Sequence, residues 1–119
     1  MKRVFTIAIL MAGLCSTASA QFSETQLNSE SCLYYLKNKS LNSDYPLTNV
    51  KFINVSGGTR IISWINFDGK AITYSKLNNG SAFTVETYAT HPWMISDTNG
   101  DCIEVQIAGQ KNQIIPVTK

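Results

Sequence analysis

The sequence is poor in reactive side chains. It has one histidine, His91, three cysteines and three prolines, and charged residues make up only 15% of it. A single histidine with no carboxylate at a paired spacing, no nucleophile elbow and no phosphate loop leaves little equipment for catalysis. Ser63, His91 and Asp97 can be nominated as a triad, but strand parity and chain position give no reason to bring them together. Two distant cysteines and one histidine are also a poor zinc set. The expectation is a non-enzyme without metal or cofactor. Ten basic residues stand against eight acidic ones, with no basic cluster, so the electrostatic footprint of a nucleic-acid binder is missing. The longest apolar run, Val4 to Leu14, is shorter than the ~20 residues that span a bilayer.

That run follows Lys2-Arg3 and precedes Ala18-Ser19-Ala20, the basic, apolar and small-residue order of a cleavable export signal over residues 1–20. The mature chain then starts at Gln21, is secreted or periplasmic, and has no membrane contact after cleavage. Losing Lys2 and Arg3 leaves eight basic against eight acidic residues, so the mature domain is close to neutral. Cys15 leaves with the signal, and bulky Leu14 before it speaks against lipid attachment. Cys32 and Cys102 remain, and in an oxidising compartment they permit one intramolecular pairing. Closing that loop stabilises the fold by roughly 4 kcal/mol in the chain-entropy model.

Residues 21–31 read as a polar leader and 32–119 as one domain with a modest core. Leu33 to Leu36 fits a buried strand or a turn of helix equally well. Val50 to Val55 reads as a strand ending at Ser56-Gly57-Gly58, and Arg60 to Phe67 alternates faces as a strand does. Asp68-Gly69 and Asn79-Gly80 are hairpin signals that lead into Lys70–Ser75 and Phe83–Ala89, which predicts a three-stranded meander. Ile103, Val105 and Ile107 alternate with Glu104 and Gln106, and Gln113 to Val117 is a last short strand. Short strands, Gly/Asn turns and no helix-length amphipathic pattern indicate an all-β fold, a single β-sandwich of mostly antiparallel strands.

The stretch from Trp64 to Trp93 holds both tryptophans, the histidine and two of five tyrosines. The run Trp64-Ile65-Asn66-Phe67-Asp68-Gly69, then Tyr74, Gly80, Thr87-Tyr88 and His91-x-Trp93 ending in Asp97, resembles the β domain of the von Hippel-Lindau tumour suppressor family in identity and spacing. The likeness is ungapped from Asn54 to Asp97 and extends loosely outward to Leu41-Asn42-Ser43 and Ile114–Val117. It implies a von Hippel-Lindau-like sandwich that binds an extended peptide containing 4-hydroxyproline. Trp64, Tyr74 and Trp93 then match the aromatic walls around the pyrrolidine ring. Thr87, where the family has serine, and His91 match the groups that bond the prolyl hydroxyl. Tyr88 falls inside the same motif, and the Tyr74 hydroxyl matches the one that meets a peptide carbonyl.

Physical chemistry supports such a site. A proline ring is flat, apolar and restricted in φ, so aromatic faces bury it with little loss of entropy. A hydroxyl that pairs with Thr87 and His91 would discriminate against plain proline, because each buried polar group left unpaired costs on the order of 1–3 kcal/mol. Binding that needs a neutral His91 weakens below about pH 6.5. Each residue also has a plainer role: Trp64 and Trp93 as core, Tyr74 as a cap on the sandwich edge, Thr87 as a buried threonine bonded to backbone, His91 as a loop residue. Glu86 stands where the family has histidine, Ser75 and Asn78-Asn79 replace prolines, and Pro92 replaces an aliphatic residue, so peptide preference should differ. Pro92 removes a ladder donor, so its strand should be an edge or carry a bulge. The helical domain through which the tumour suppressor recruits a ubiquitin ligase has no counterpart in the sequence. Two other classes fit exposed aromatics on an exported sandwich: carbohydrate binding, with Asn66, Asp68 or Glu86 for sugar hydroxyls, and a purely structural or protein-interaction role. Asn38, Asn54 and Asn79 begin glycosylation triplets, relevant only in a eukaryotic secretory pathway.

Overall fold

The computed structural model describes residues 30–35, 39–41 and 45–119. The export signal and most of the polar leader lie outside them. Glu30, Ser31 and Cys32 begin a short helix, α1 (Glu30–Tyr35), so the ambiguous apolar run is helical at its start. Seven strands follow: β1 (Leu47–Asn54), β2 (Arg60–Ile65), β3 (Ala71–Leu77), β4 (Ala82–Tyr88), β5 (Pro92–Ser96), β6 (Cys102–Ile107) and β7 (Gln113–Val117).

They form two sheets, one of order β4-β1-β7 and one of order β3-β2-β5-β6. All pairs are antiparallel except β1 with β7. β1 shows why a sandwich results: Thr48, Val50, Phe52 and Asn54 are buried, while Leu47, Asn49 and Lys51 between them are exposed. Its inner side chains meet Ile62, Leu77, Trp93 and Ile95 of the opposite sheet, with Ile115 and Val117 beside them, and this is the main core. β5 is buried at all five positions because its two faces are both covered. Trp93 and Ile95 face the main core, whereas Met94 joins Cys32, Ile65, Cys102 and Val105 in a second cluster.

α1 covers that outer face, held by the Cys32–Cys102 disulfide, with Cα atoms 6.1 Å apart. The Val105 N–H also donates to the Ser31 hydroxyl at 3.1 Å.

Two expectations are corrected, and a third is met in one of its two forms. The predicted meander is broken: Asp68-Gly69 does join β2 to β3, but Asn79-Gly80 carries the chain across to the other sheet, where β4 pairs with β1. The reason is apolar matching, since Phe83 lies opposite Phe52 and Val85 opposite Val50. β3 offers no such partners, being exposed or half-exposed from Ala71 to Lys76. β2 stops at Ile65, because the Asn66 side chain takes the backbone N–H groups of Asp68 and Lys70, both at 2.9 Å, and closes the turn. Phe67 is therefore a turn residue. Pro92 does not mark an edge: β5 is internal, and Pro92 is its first residue, where the missing N–H costs the ladder least. Of the two outcomes expected for this strand, an edge or a bulge, the second is found, since the register of β5 shifts between Ile95 and Ser96.

Asn54 is fully buried and cannot carry a glycan in the folded chain. Its Nδ2 donates to the carbonyls of Gly58 at 2.7 Å and Leu77 at 2.9 Å, while its Oδ1 accepts from the Ser56 N–H at 3.0 Å and hydroxyl at 2.7 Å. Asn38 lies outside the described residues.

Candidate functional site

A cavity of about 210 Å³ opens where the edges of the two sheets, β3 and β4, meet the turn before β5. All six residues picked from the sequence line it: Trp64, Tyr74, Thr87, Tyr88, His91 and Trp93. Phe67 and Glu86 complete the lining.

Register builds the aromatic walls. Trp64 and Trp93 are direct neighbours on β2 and β5. On β3, pairing passes from Ile62 with Ser75 to Ser63 with Thr73, which leaves Tyr74 as the extra residue of a β-bulge. A bulge re-aims its side chain, and the Tyr74 ring sits 5.0 Å from Trp93 and 6.5 Å from Trp64, edge-on to both. No sequence signal marks that bulge. Phe67 could have been found from its place in the Asn66–Lys70 turn: its ring lies 5.3 Å from Trp64 and 5.6 Å from His91, again edge-on.

Trp93 is both core and wall. It is 2% exposed, packs 6.1 Å from Phe52, and its Nε1–H donates to the Thr87 hydroxyl at 3.2 Å. Thr87 is buried as its parity predicts, but it is bonded to Trp93 rather than to backbone. Because its oxygen accepts there, its own O–H is left to donate.

His91 is 3% exposed, stacked on Trp64 with ring centres 5.7 Å apart and planes 26° apart. Its Nε2 lies 3.1 Å from the Leu41 carbonyl, which can only accept, so Nε2 carries the proton. The neutral ring then has one acceptor, Nδ1. Burial pushes the imidazole below its ordinary value of 6.5, partly offset by the Leu41 carbonyl, so the neutral form dominates at pH 7.

The Tyr88–His91 turn that delivers this ring is closed by His91 N–H to Tyr88 O at 3.2 Å and holds Thr90 at φ 79°. Glu86 is exposed at the rim and makes no ion pair among the described residues.

The alternative constellations are not assembled. Ser63 is buried on the face of β2 opposite Trp64. Asp97 lies at the far end of β5 from His91, where its carboxylate caps the Asp97–Asp101 turn through the N–H groups of Asn99 and Asp101. Among the described residues no three His, Cys, Asp or Glu side chains gather into a metal site.

A family model described as the VHL β domain matches residues 38–114, well over half of the chain. The chain belongs to the VHL β domain family. Strands β1 to β6 and every residue that lines the aromatic cavity fall inside the matched span. Membership of this family points to a substrate-binding module. No curated protein matches the chain.

Proposed function

We propose that this VHL β domain is an exported, non-catalytic module that recognises a 4-hydroxyproline residue within an extended peptide. The observation that carries the reading is the polar pair beside the aromatic cage. Thr87 has an O–H to donate, because its oxygen already accepts from Trp93. His91 has only Nδ1 to accept with, because Nε2 donates to Leu41. A hydroxyl is the group that satisfies one donor and one acceptor at once. The cavity, at about 210 Å³, is below the roughly 300–1,000 Å³ of sites for drug-sized ligands and suits one small ring.

Trp64, Tyr74 and Trp93 would clasp the ring, with Phe67 and Tyr88 closing its sides. The partner is a hydroxyproline-containing protein of the same compartment. Calorimetric titration of the oxidised protein with two peptides that differ only by proline or 4-hydroxyproline tests the reading. The expected preference is about 5- to 150-fold for the hydroxylated member, the equivalent of 1–3 kcal/mol. Equal or absent binding of the two contradicts it, and titration of a sugar panel then separates carbohydrate binding from a structural role.

A further inference from the structure

Ser40 and Leu41 do not line the cavity, yet they hold two of its walls. The Trp64 indole N–H donates to the Ser40 hydroxyl at 2.7 Å. That hydroxyl donates in turn to the Ile65 carbonyl at 2.6 Å, and the Ser40 N–H donates to the Asn66 carbonyl at 3.1 Å. Ser40 is 3% exposed, so the acceptor that meets Trp64 is buried and fixed from two sides. The next carbonyl along the chain, that of Leu41, receives His91 Nε2–H at 3.1 Å. The Leu41 side chain is 51% exposed and supplies little hold of its own, so the position of its carbonyl is inherited from Ser40.

We propose that Ser40 and the Leu41 carbonyl are positioning elements of the pocket: Ser40 sets the plane of Trp64, and Leu41 keeps the His91 proton on Nε2. Two consequences follow for the pocket's polarity. The indole N–H is already spent, so Trp64 offers an arriving ring its apolar face and no competing donor. His91 is held as an acceptor at Nδ1, whereas a ring released from Leu41 could take either tautomer and would meet a hydroxyl with the wrong hydrogen-bonding group part of the time. Because the Trp64 and His91 rings stack, a shift of one is passed to the other. Selectivity is thereby set by a dipeptide 24 residues upstream of the first wall it fixes. The link to ligand choice rests on the hydroxyproline reading; the positioning role does not.

Nitrogen and proton NMR of the full oxidised chain can test this, since it has one histidine and two tryptophans. Wild-type protein above pH 7 is expected to show His91 as the Nε2–H tautomer and slow exchange of the Trp64 indole proton. In Ser40→Ala the Trp64 proton should exchange at least about tenfold faster, the Trp93 proton, bonded to Thr87, should not change, and His91 should become a tautomer mixture. Ser40→Thr, which keeps the hydroxyl, should restore both signatures. The hydroxyproline-to-proline affinity ratio should fall by about fivefold or more in Ser40→Ala and recover in Ser40→Thr. A wild-type Nδ1–H tautomer overturns the proposal, whether or not Ser40→Ala folds. A folded Ser40→Ala with unchanged tautomer and exchange overturns it too. If neither peptide binds wild-type protein, the ligand assignment fails, while the tautomer and exchange data still decide the positioning role.

Discussion

Thr90 is the one non-glycine among the described residues with positive φ, at 79°, and it immediately precedes His91. A β-branched residue in that region costs on the order of 1–3 kcal/mol, and the Thr90 hydroxyl is also buried without a partner. The strain is carried by the turn that presents the imidazole. Thr90→Gly should therefore raise the unfolding free energy by about 1 kcal/mol, after the entropy cost of glycine is subtracted; urea denaturation reads this directly, and a loss of stability would show that the threonine is held by more than its backbone.

The pH response also belongs to single residues. His91 is held below 6.5 by burial, so unfolded chains bind more protons as pH falls through 6.5. Its contribution to stability is fully present above pH 6.5 and is lost as pH falls from there towards the lower folded value. Ligand affinity follows the same direction, because protonation at Nδ1 removes the acceptor. Affinity should be level from pH 8 to 7 and decline with a midpoint below 6.5, lower than the unperturbed value used on sequence grounds. Glu86 is the one acidic group that lines the same cavity. Titrations in the Glu86→Gln background isolate the imidazole. Affinity that does not change from pH 8 to 5 would take His91 out of the binding step.

At the scale of elements, Asn54 holds the β1–β2 connection to the end of β3. Its amide joins Gly58, Leu77 and Ser56 in one buried network, and the Gly80 N–H donates to its carbonyl at 2.7 Å. Asn54→Ala leaves the buried Leu77 carbonyl and the part-buried Gly58 carbonyl without that donor, and a cost of about 2–4 kcal/mol is expected; a change under 1 kcal/mol in chemical denaturation would mean that water replaces the amide.

Elements are also where sequence reading succeeded unevenly. β1, β6 and β7 were legible because alternation records one buried face, and the Asp68-Gly69 hairpin because turn chemistry is local. The transfer of β4 to the second sheet was not legible. It depends on whether Phe83 and Val85 find Phe52 and Val50 or β3, a choice between distant partners that an Asn-Gly turn does not encode. The Tyr74 bulge escaped for the same reason, since it is a property of a pair of strands.

For the whole molecule, the site was more legible than the topology. Spacing along the chain preserved the relation between Trp64, Tyr74, Thr87, Tyr88, His91 and Trp93, although four separate strands and a turn carry them. What spacing could not reveal was the contribution of Ser40 and Leu41, short polar contacts from a segment with no pattern of its own. The Cys32–Cys102 link pins α1 over the second core cluster and closes a loop with a sequence separation of 70. Replacing both cysteines by alanine should lower the unfolding free energy by roughly 4 kcal/mol, measured by urea denaturation; a loss below 1 kcal/mol would mean that α1 is held by packing alone.

The central claim is that Thr87 and His91 select a hydroxyl inside an aromatic cage, and a thermodynamic cycle tests it most directly. Wild-type and Thr87→Val proteins are each titrated with the proline and 4-hydroxyproline peptides. Valine keeps the shape and removes the donor, together with the acceptor of the Trp93 indole N–H, a loss common to both peptides, so the preference for the hydroxylated peptide should collapse by about fivefold or more while affinity for the proline peptide changes less. A hydroxyproline-to-proline affinity ratio that survives the substitution, whether or not both affinities fall together, would contradict hydroxyl recognition at this site.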